Sequence, residues 1–224
     1  MTTSTPAFIF DLDGTLLDGV YHHVIAWQRA YADLGLDVSL WQVHRRIGMS
    51  GSLLAKRVAA EAGRTFSDEE ADKAAALHTQ HYEQMLDDVR PLRGARELLL
   101  ALSSADVRWV VATSGGPDEA HPQLAKLELP ADPLLVCSDD VPTAKPAPEM
   151  LRAAAEKVQS DPANCLMVGD TVWDLLAARR AGMLGIGLLS GGRALTELQA
   201  AQAHRVYADP AELHTHLDEL GVTA

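Results

Sequence analysis

The chain has 224 residues, a formal net charge of −12 at pH 7 and 47% hydrophobic residues, which is enough for one large domain or for a domain with a sizeable insertion. The acidic balance argues against a general nucleic-acid binder, which normally presents a basic face, although a local cationic pocket for an anion remains compatible with it. No apolar stretch reaches the ~20 residues that a membrane-spanning helix needs, so we expect no membrane contact.

The beginning of the chain and its cysteines bear on the cellular compartment. "MTTSTPAF" has neither the basic region nor the long apolar region of a signal peptide. Cys137 and Cys165 lie inside apolar runs without the spacing of metal ligands, so we interpret both as small buried side chains. These features predict a reduced, cytoplasmic protein.

Five short apolar runs predict buried strands. They are residues 7–10, 108–113, 134–137, 165–169 and 184–189. Helical patterns lie between most of them, in "GARELLLALSSA", "APEMLRAAAEKV" and "TVWDLLAARRAG", and the last has Gly182 as its stop signal. Strands alternating with helices predict an α/β fold, in which helices cover both faces of a Rossmann-like parallel sheet.

The interval from about 18 to 90 differs from the rest, because it has almost no strand signal and contains three helical stretches. Ser67 and Glu70 form a capping-box signature at the start of the third stretch. The segment "DDVRPLRG" carries a proline and a glycine and is typical of a return linker. We therefore predict a core domain of residues 1–17 and 88–224, with an all-helical domain inserted at 18–87.

Polar residues and a glycine follow the predicted strands where the strands end. They are Asp11, Asp13, Thr113, Ser114, Gly115, Lys145, Asp170 and Asp174. Because sites in open parallel sheets form at the carboxyl ends of the strands, we expect these residues to converge. Clustered carboxylates repel one another unless a hard cation such as Mg²⁺ lies among them. A hydroxyl, backbone N–H groups and an ammonium suit a phosphate.

Taken together, these stretches resemble the four motifs of the haloacid dehalogenase superfamily of phosphohydrolases. They are "DLDGT", Thr113 in "VVATSGG", Lys145 in "AKPAPEM" and "GDTVWD". The helical insert resembles the α-helical cap of subfamily I. The resemblance covers essentially the whole chain and implies a Rossmann-like core, Mg²⁺ dependence and an aspartyl-phosphate intermediate.

The resemblance also implies a role for each core residue. Asp11 corresponds to the nucleophile. Asp13 corresponds to the acid/base, and its backbone carbonyl to a metal ligand. The phosphoryl group would be held by Thr113 and Lys145, helped by backbone N–H groups of Ser114 and Gly115. The metal would be bound by Asp11 and Asp170, with Asp174 supporting it directly or through water.

Asp13 also separates branches of the superfamily. Haloacid dehalogenases lack this second acid, and phosphonatases replace it and use a cap lysine, whereas Lys56 here matches the polar side of an amphipathic helix. The resemblance thus favours a phosphatase for a small phosphate ester, with a phosphomutase of the β-phosphoglucomutase type as the alternative. A response-regulator receiver is disfavoured by chain length and the insert, and a binding module by the complete set of reactive groups. Neither the natural substrate nor the oligomeric state follows from the sequence.

The insert contains the candidate specificity residues. "HRRIGMSGSLL", at 44–54, resembles the substrate-specificity stretch of phosphatases related to phosphoglycolate phosphatase and of β-phosphoglucomutases. Within it, Arg45 and Arg46 diverge as neighbours on a helix, so at most one of them is expected to face the substrate. His23 resembles a histidine near the hinge of the β-phosphoglucomutases, and packing against Trp27 is its simpler interpretation. His78 and His81 are expected at the surface.

Overall fold

The computed structural model of the chain describes residues 5–222. These residues form two compact units. The α/β unit takes in the chain up to Asp18 and from Arg90 onward, and the helical unit is Gly19–Val89. The expectation of a chain without a signal peptide falls partly on residues 1–4, which lie outside the described residues.

The α/β unit is built on a six-stranded parallel sheet, which confirms the predicted fold class. The strands are β1 Ala7–Phe10, β2 Trp109–Ala112, β3 Leu135–Val136, β4 Cys165–Gly169, β5 Leu184–Leu188 and β6 Arg205–Tyr207. Their order is β3-β2-β1-β4-β5-β6. The chain moves from β1 to one side of the sheet and then returns to the other side of β1. The boundary between β1 and β4 is therefore the topological switch point, where such sheets form their sites.

The helices of this unit precede or follow its strands. They are α5 Ala95–Ser104, α6 Pro117–Ala125, α7 Glu149–Lys157, α8 Val172–Ala181, α9 Leu195–Ala200 and α10 Pro210–Thr215. Shorter 3-10 helices are Ser138–Asp140, Pro162–Asn164, Leu189–Gly191 and Leu217–Leu220. Gly182 ends α8 with φ 81°, the left-handed conformation for which a helix-ending glycine is suited.

Three helices and one strand of this unit were not predicted. Helix α6 contains Pro122 as well as Pro117 at its start, and an internal proline obscures a helical pattern. Strand β6 is only three residues long and begins with the exposed Arg205. Helices α9 and α10 have six residues each, too few to show a clear period.

The helical unit contains α1 Val20–Asp33, α2 Leu40–His44, α3 Gly51–Glu61 and α4 Asp68–Glu83, followed by a 3-10 helix at Leu86–Asp88. The capping box predicted for α4 is present: Ser67 accepts a hydrogen bond from the Glu70 N–H at 3.2 Å, and Glu70 accepts from the Ser67 N–H at 2.9 Å. Tyr31 is fully buried between the helices and donates to the carbonyl of Ala55 at 3.2 Å. Burial raises its pKa above the usual range.

Two further expectations can be compared with the described residues. No helix among residues 5–222 combines the length and apolar character needed to cross a bilayer. Cys137 and Cys165 are both free and buried, as predicted.

Candidate active site

The first carboxylate of the site is fixed by the register of three strands. Phe10, the last residue of β1, pairs with Val111 of β2 and with Val168 of β4. Asp11 continues this register and donates its N–H to the carbonyl of Val168 at 2.9 Å. Its side chain is buried, so the central strand of the sheet delivers an ionisable group to the switch point.

Lys145 comes to this carboxylate from the segment between β3 and α7. The side chain is 0% exposed, and its Nζ donates to Asp11 Oδ1 and, at 3.1 Å, to the carbonyl of Ala112. Nζ also lies 2.9 Å from Asp174 Oδ1. Lysine is almost never fully buried unless it is paired, and here three oxygens surround the ammonium group and fix its position.

Asp170 follows β4 directly and is also buried. Thr15 donates to its Oδ1 at 3.4 Å, whereas its Oδ2 makes no hydrogen bond to the described residues. Gly191 lies so close that a Cβ added there would be 1.7 Å from Asp170 Oδ2. A buried carboxylate oxygen without a hydrogen-bond donor is costly, and a cation is the kind of partner that offsets this cost.

Asp174 belongs to the first turn of α8 and is 0% exposed. Its Oδ2 accepts from the N–H of Thr171 at 3.1 Å and from the Thr171 hydroxyl at 2.5 Å, and its own N–H donates back to the Thr171 hydroxyl at 3.3 Å. This reciprocal capping box fixes the start of α8. It also leaves Asp174 Oδ1 directed at Lys145.

Asp11, Asp170 and Asp174 form one acidic cluster, with a ligand oxygen of each within 4.8 Å of those of the other two. Lys145 compensates one of the three negative charges, and the remaining charge and the unpaired Asp170 Oδ2 fit a divalent cation. Carboxylate oxygens are the hard ligands that Mg²⁺ prefers. The residues present therefore suit the metal that the sequence motifs imply.

Burial dominates the electrostatics of the cluster. It raises the pKa of Asp11 to about 7, opposed by the charge of Lys145 and reinforced by Asp174. Burial likewise raises the pKa of Asp170 well above its usual range, and Asp174 adds to the effect. For Lys145, burial alone would lower the pKa, but the charges of Asp11 and Asp174 outweigh it and hold the ammonium protonated.

Asp13 has a hydrogen-bond partner that the sequence analysis missed. The side-chain amide of Gln123 in α6 lies 3.0 Å and 3.2 Å from the two carboxylate oxygens of Asp13. Directly after Asp13 the chain turns at Gly14, whose φ is 82°. The Ser190 hydroxyl donates to the carbonyl of Gly14 at 2.6 Å. Pro122 interrupts the helical pattern of α6 next to Gln123, so the sequence did not show that Gln123 lies on the buried side of this helix.

The second motif forms a compact loop between β2 and α6. Thr113 is buried, and its N–H donates to the carbonyl of Val136 in β3 at 3.0 Å. Its hydroxyl accepts from the Gly115 N–H at 3.2 Å, and the Gly115 carbonyl accepts from the N–H of Ser138 at 3.1 Å. Thr113, Ser114 and Gly115 are thus held at the carboxyl end of β2, as the sequence predicts.

The candidate specificity residues lie in the helical unit. Arg46 is ion-paired with Glu61 of α3, whereas Arg45 is exposed. His23 is buried and lies 2.9 Å through its Nδ1 from Nε2 of His78. Whether any of these residues binds substrate stays a prediction.

His23 lies in an aromatic cluster of the helical unit. Its ring stacks on Tyr82 at 4.0 Å between centroids, and it is His78 that stacks on Trp27, at 4.5 Å. The expectation of an exposed His78 was wrong, because this side chain faces α1 inside the bundle. Its burial lowers the pKa of the ring well below the usual value. His81 is partly exposed and pairs with Asp33 at 2.7 Å.

Comparison with known proteins agrees with this geometry. Residues 5–182 match the haloacid dehalogenase-like hydrolase family. The chain is 32% identical over 190 residues to a phosphoglycolate phosphatase of Agrobacterium fabrum, covering 84% of this chain and 82% of the relative. It is 33% identical over 181 residues to an N-acetylmuramic acid 6-phosphate phosphatase of Pseudomonas putida, covering 79% of each.

Among solved structures, a hydrolase from Pseudomonas syringae superposes with a TM-score of 0.93 at 45% identity, covering 96% of this chain and 98% of that one. Family match, curated relatives and solved structure all span both units of the chain. The chain therefore belongs to the haloacid dehalogenase-like hydrolases, and its buried Asp11–Lys145 pair lies at the switch point of the parallel sheet.

Proposed function

We propose that this protein is a Mg²⁺-dependent phosphatase that hydrolyses a small phosphorylated metabolite through a phosphorylated Asp11. The observation that carries the proposal is the buried Asp11–Lys145 pair beside the carboxylates of Asp170 and Asp174. Two curated relatives are named as phosphatases, one of phosphoglycolate and one of N-acetylmuramic acid 6-phosphate. Both names denote phosphate monoesters of small molecules, and this is the substrate class we propose.

The first step transfers the phosphoryl group to the protein. A carboxylate oxygen of Asp11 attacks phosphorus, the bond to the ester oxygen breaks, and Asp13 gives a proton to the leaving oxygen. Lys145 keeps Asp11 in place and compensates charge on the phosphoryl oxygens, for which Thr113 and the N–H groups of Ser114 and Gly115 serve as donors.

The second step regenerates the enzyme. Asp13, now ionised, takes a proton from a water molecule whose oxygen attacks phosphorus, so that inorganic phosphate leaves and the Asp11 carboxylate is restored. A Mg²⁺ ion bound by Asp11, Asp170, Asp174 and the Asp13 carbonyl would supply charge compensation for the phosphoryl oxygens in both steps.

The helical unit is proposed to act as a cap that selects the substrate. Its candidate contacts to the part of the substrate beyond the phosphate are Arg45, Arg46 and His23, and of the two arginines we expect the exposed Arg45 rather than the ion-paired Arg46 to bind substrate. Closure of such a unit would exclude bulk water during the reaction. The two free, buried cysteines suit a reducing compartment, and we propose a cytoplasmic location.

A screen of phosphorylated metabolites with Mg²⁺, read as release of inorganic phosphate, tests the proposal. Activity should disappear with EDTA and return when Mg²⁺ is added in excess. Full activity after exhaustive chelation would exclude the acidic cluster as a catalytic metal site. Phosphate relocated within a sugar phosphate, rather than released, would identify a phosphomutase in place of a phosphatase.

A further inference from the structure

Gln123 is a buried polar residue to which none of the sequence motifs assigns a role. Its side chain is 1% exposed, and its Nε2 lies 3.0 Å from Oδ1 and 3.2 Å from Oδ2 of Asp13. The structure directs the NH₂ side of the amide at Asp13, so that Nε2 donates toward both carboxyl oxygens. The amide therefore spans both oxygens and limits rotation of the carboxyl group.

The helix segment that carries Gln123 is packed against the core, which fixes the position of its backbone. Ala120, Leu124 and Leu127 are buried on the same side of this segment, at the i, i+4 and i+7 spacing of a helix face that packs against the core. Gln123 lies within that apolar stripe, and its side chain emerges from a packed surface. A glutamine at this position buries a polar amide, whereas an apolar residue would pack there without that cost. The position therefore points to a requirement for the amide itself.

We propose that Gln123 is a positioning residue, which holds the carboxyl group of Asp13 in the orientation from which it protonates the leaving group. This inference rests on the proposed function, because it assigns Gln123 a role through Asp13. Gln123 itself contacts neither the phosphoryl group nor the nucleophile in this account. Its contribution is the geometry of the proton transfer.

The leaving group separates this role from a general packing role. Phenolate is a poorer leaving group than p-nitrophenolate and depends more on a proton delivered as the bond breaks. Phenyl phosphate and p-nitrophenyl phosphate are otherwise similar in size and shape. The value of kcat/KM reports the steps up to departure of the leaving group, so it does not include the later attack of water.

The experiment compares the two esters in the full-length protein with saturating Mg²⁺. In Gln123→Met, which keeps the length of the side chain and removes the amide, we expect kcat/KM for phenyl phosphate to fall about tenfold, a part of the total general-acid contribution. For p-nitrophenyl phosphate the expected change is within about twofold. Asp13→Asn is the benchmark and should show the same selectivity with a larger loss.

Leu124→Met is the matched control, because it changes packing of the same helix without touching a polar group, and it should leave the ratio of the two kcat/KM values unchanged. That ratio is measured within one sample and does not depend on the folded fraction, so partial unfolding of Gln123→Met does not affect it. Gln123→Leu, which also removes the amide and adds no charge beside Asp13, should give the same selective loss.

The outcomes distinguish this inference from the function on which it rests. If Asp13→Asn shows the selective loss and both Gln123 variants keep the wild-type ratio, the positioning role is wrong and the phosphatase proposal stands. An equal loss on both esters in the Gln123 variants would assign Gln123 to packing. Absence of hydrolysis of either ester by the wild-type protein would remove the proposed function and this inference with it.

Discussion

Single residues in this protein carry charges that the interior would not tolerate alone. Asp11 is buried, and its pKa of about 7 reflects burial opposed by the ammonium of Lys145. Lys145 in turn keeps its proton because Asp11 and Asp174 lie beside it. The two residues lie at the switch point of the sheet, and the contact with Lys145 fixes the orientation of the Asp11 carboxylate.

Replacement of Asp11 by asparagine tests the nucleophile. The amide keeps the shape of the side chain but cannot attack phosphorus, so we expect turnover to fall at least ~10³-fold, about 4 kcal/mol in barrier. Phosphate release is measured with the preferred metabolite, and circular dichroism checks the fold. A folded Asp11→Asn protein that releases phosphate at nearly the wild-type rate would contradict the assignment.

The raised pKa of Asp11 predicts a pH-dependent metal affinity. A cation binds the ionised carboxylate, so protons compete with it below the pKa of about 7. As the pH falls from 8 to 6 the carboxylate is increasingly protonated, and the apparent Kd for Mg²⁺ should rise by at least about tenfold for each pH unit below that pKa, because the raised pKa of Asp170 adds to the competition. Isothermal titration calorimetry measures this, and a Kd that is flat across this range would show that Asp11 does not ligate the ion.

At the scale of secondary-structure elements, the backbone of the turn that follows β5 closely approaches Asp170 of the proposed metal site. A Cβ at Gly191 would lie 1.7 Å from Oδ2 and 2.7 Å from Cβ of Asp170. The Cβ distance means that rotation of the Asp170 side chain alone cannot relieve the overlap. The turn therefore has to place a residue without a side chain against this carboxylate.

Gly191→Ala is expected to displace Asp170 and weaken Mg²⁺ binding at least ~10-fold, the size of effect that supporting residues have on metal affinity. Gly185→Ala is the matched control in β5, since its Cβ would meet the flexible end of Leu175 at 2.6 Å. That control should cost about 1–3 kcal/mol of stability and keep the Kd for Mg²⁺. Equal Mg²⁺ affinities in the two variants would show that the close approach has no part in binding.

The segment that joins α2 to α3 offers two neighbouring arginines with different surroundings. Arg46 is paired with Glu61, and Arg45 is exposed. We expect Arg45→Ala to raise KM for an anionic metabolite about tenfold, roughly 1.4 kcal/mol of binding. Arg46→Ala should leave KM nearly unchanged and lose at most ~1 kcal/mol of stability, as is usual for a partly exposed ion pair.

Steady-state kinetics with the preferred metabolite and with p-nitrophenyl phosphate decides between the two arginines. The small ester offers little beyond its phosphate, so Arg45→Ala should affect it far less. Equal, small changes with both substrates in both variants would show that neither arginine contacts the substrate.

For the whole molecule, the sequence contains enough information to predict the α/β fold and the residues that converge at the strand ends. Strands that alternate with helices along the chain predict a parallel sheet. Such a sheet brings Asp11, Lys145 and Asp170 together although they are far apart in sequence. The partners that orient these groups were not predictable in the same way. Gln123 and Gly191 owe their importance to one neighbour brought close by the tertiary fold, and such a contact leaves no periodic signal.

The helical unit shows the same limit. Helices α1, α3 and α4 and the capping box of α4 follow from local patterns, whereas α2, with only five residues, was not predicted. The burial of His78 does not, because it depends on which side of α4 packs against α1. Helices and their caps are therefore predictable from the local sequence, whereas the packing of one helix against another required the structure.

Trapping of the phosphorylated protein tests the central claim most directly. The enzyme is mixed with Mg²⁺ and the preferred phosphate ester and quenched with acid during turnover. Borohydride then reduces an aspartyl phosphate to homoserine, which mass spectrometry locates in the sequence. We predict homoserine at position 11, dependent on both substrate and Mg²⁺. Steady release of phosphate while Asp11 remains unmodified, or a reduced residue at another position, would contradict the account.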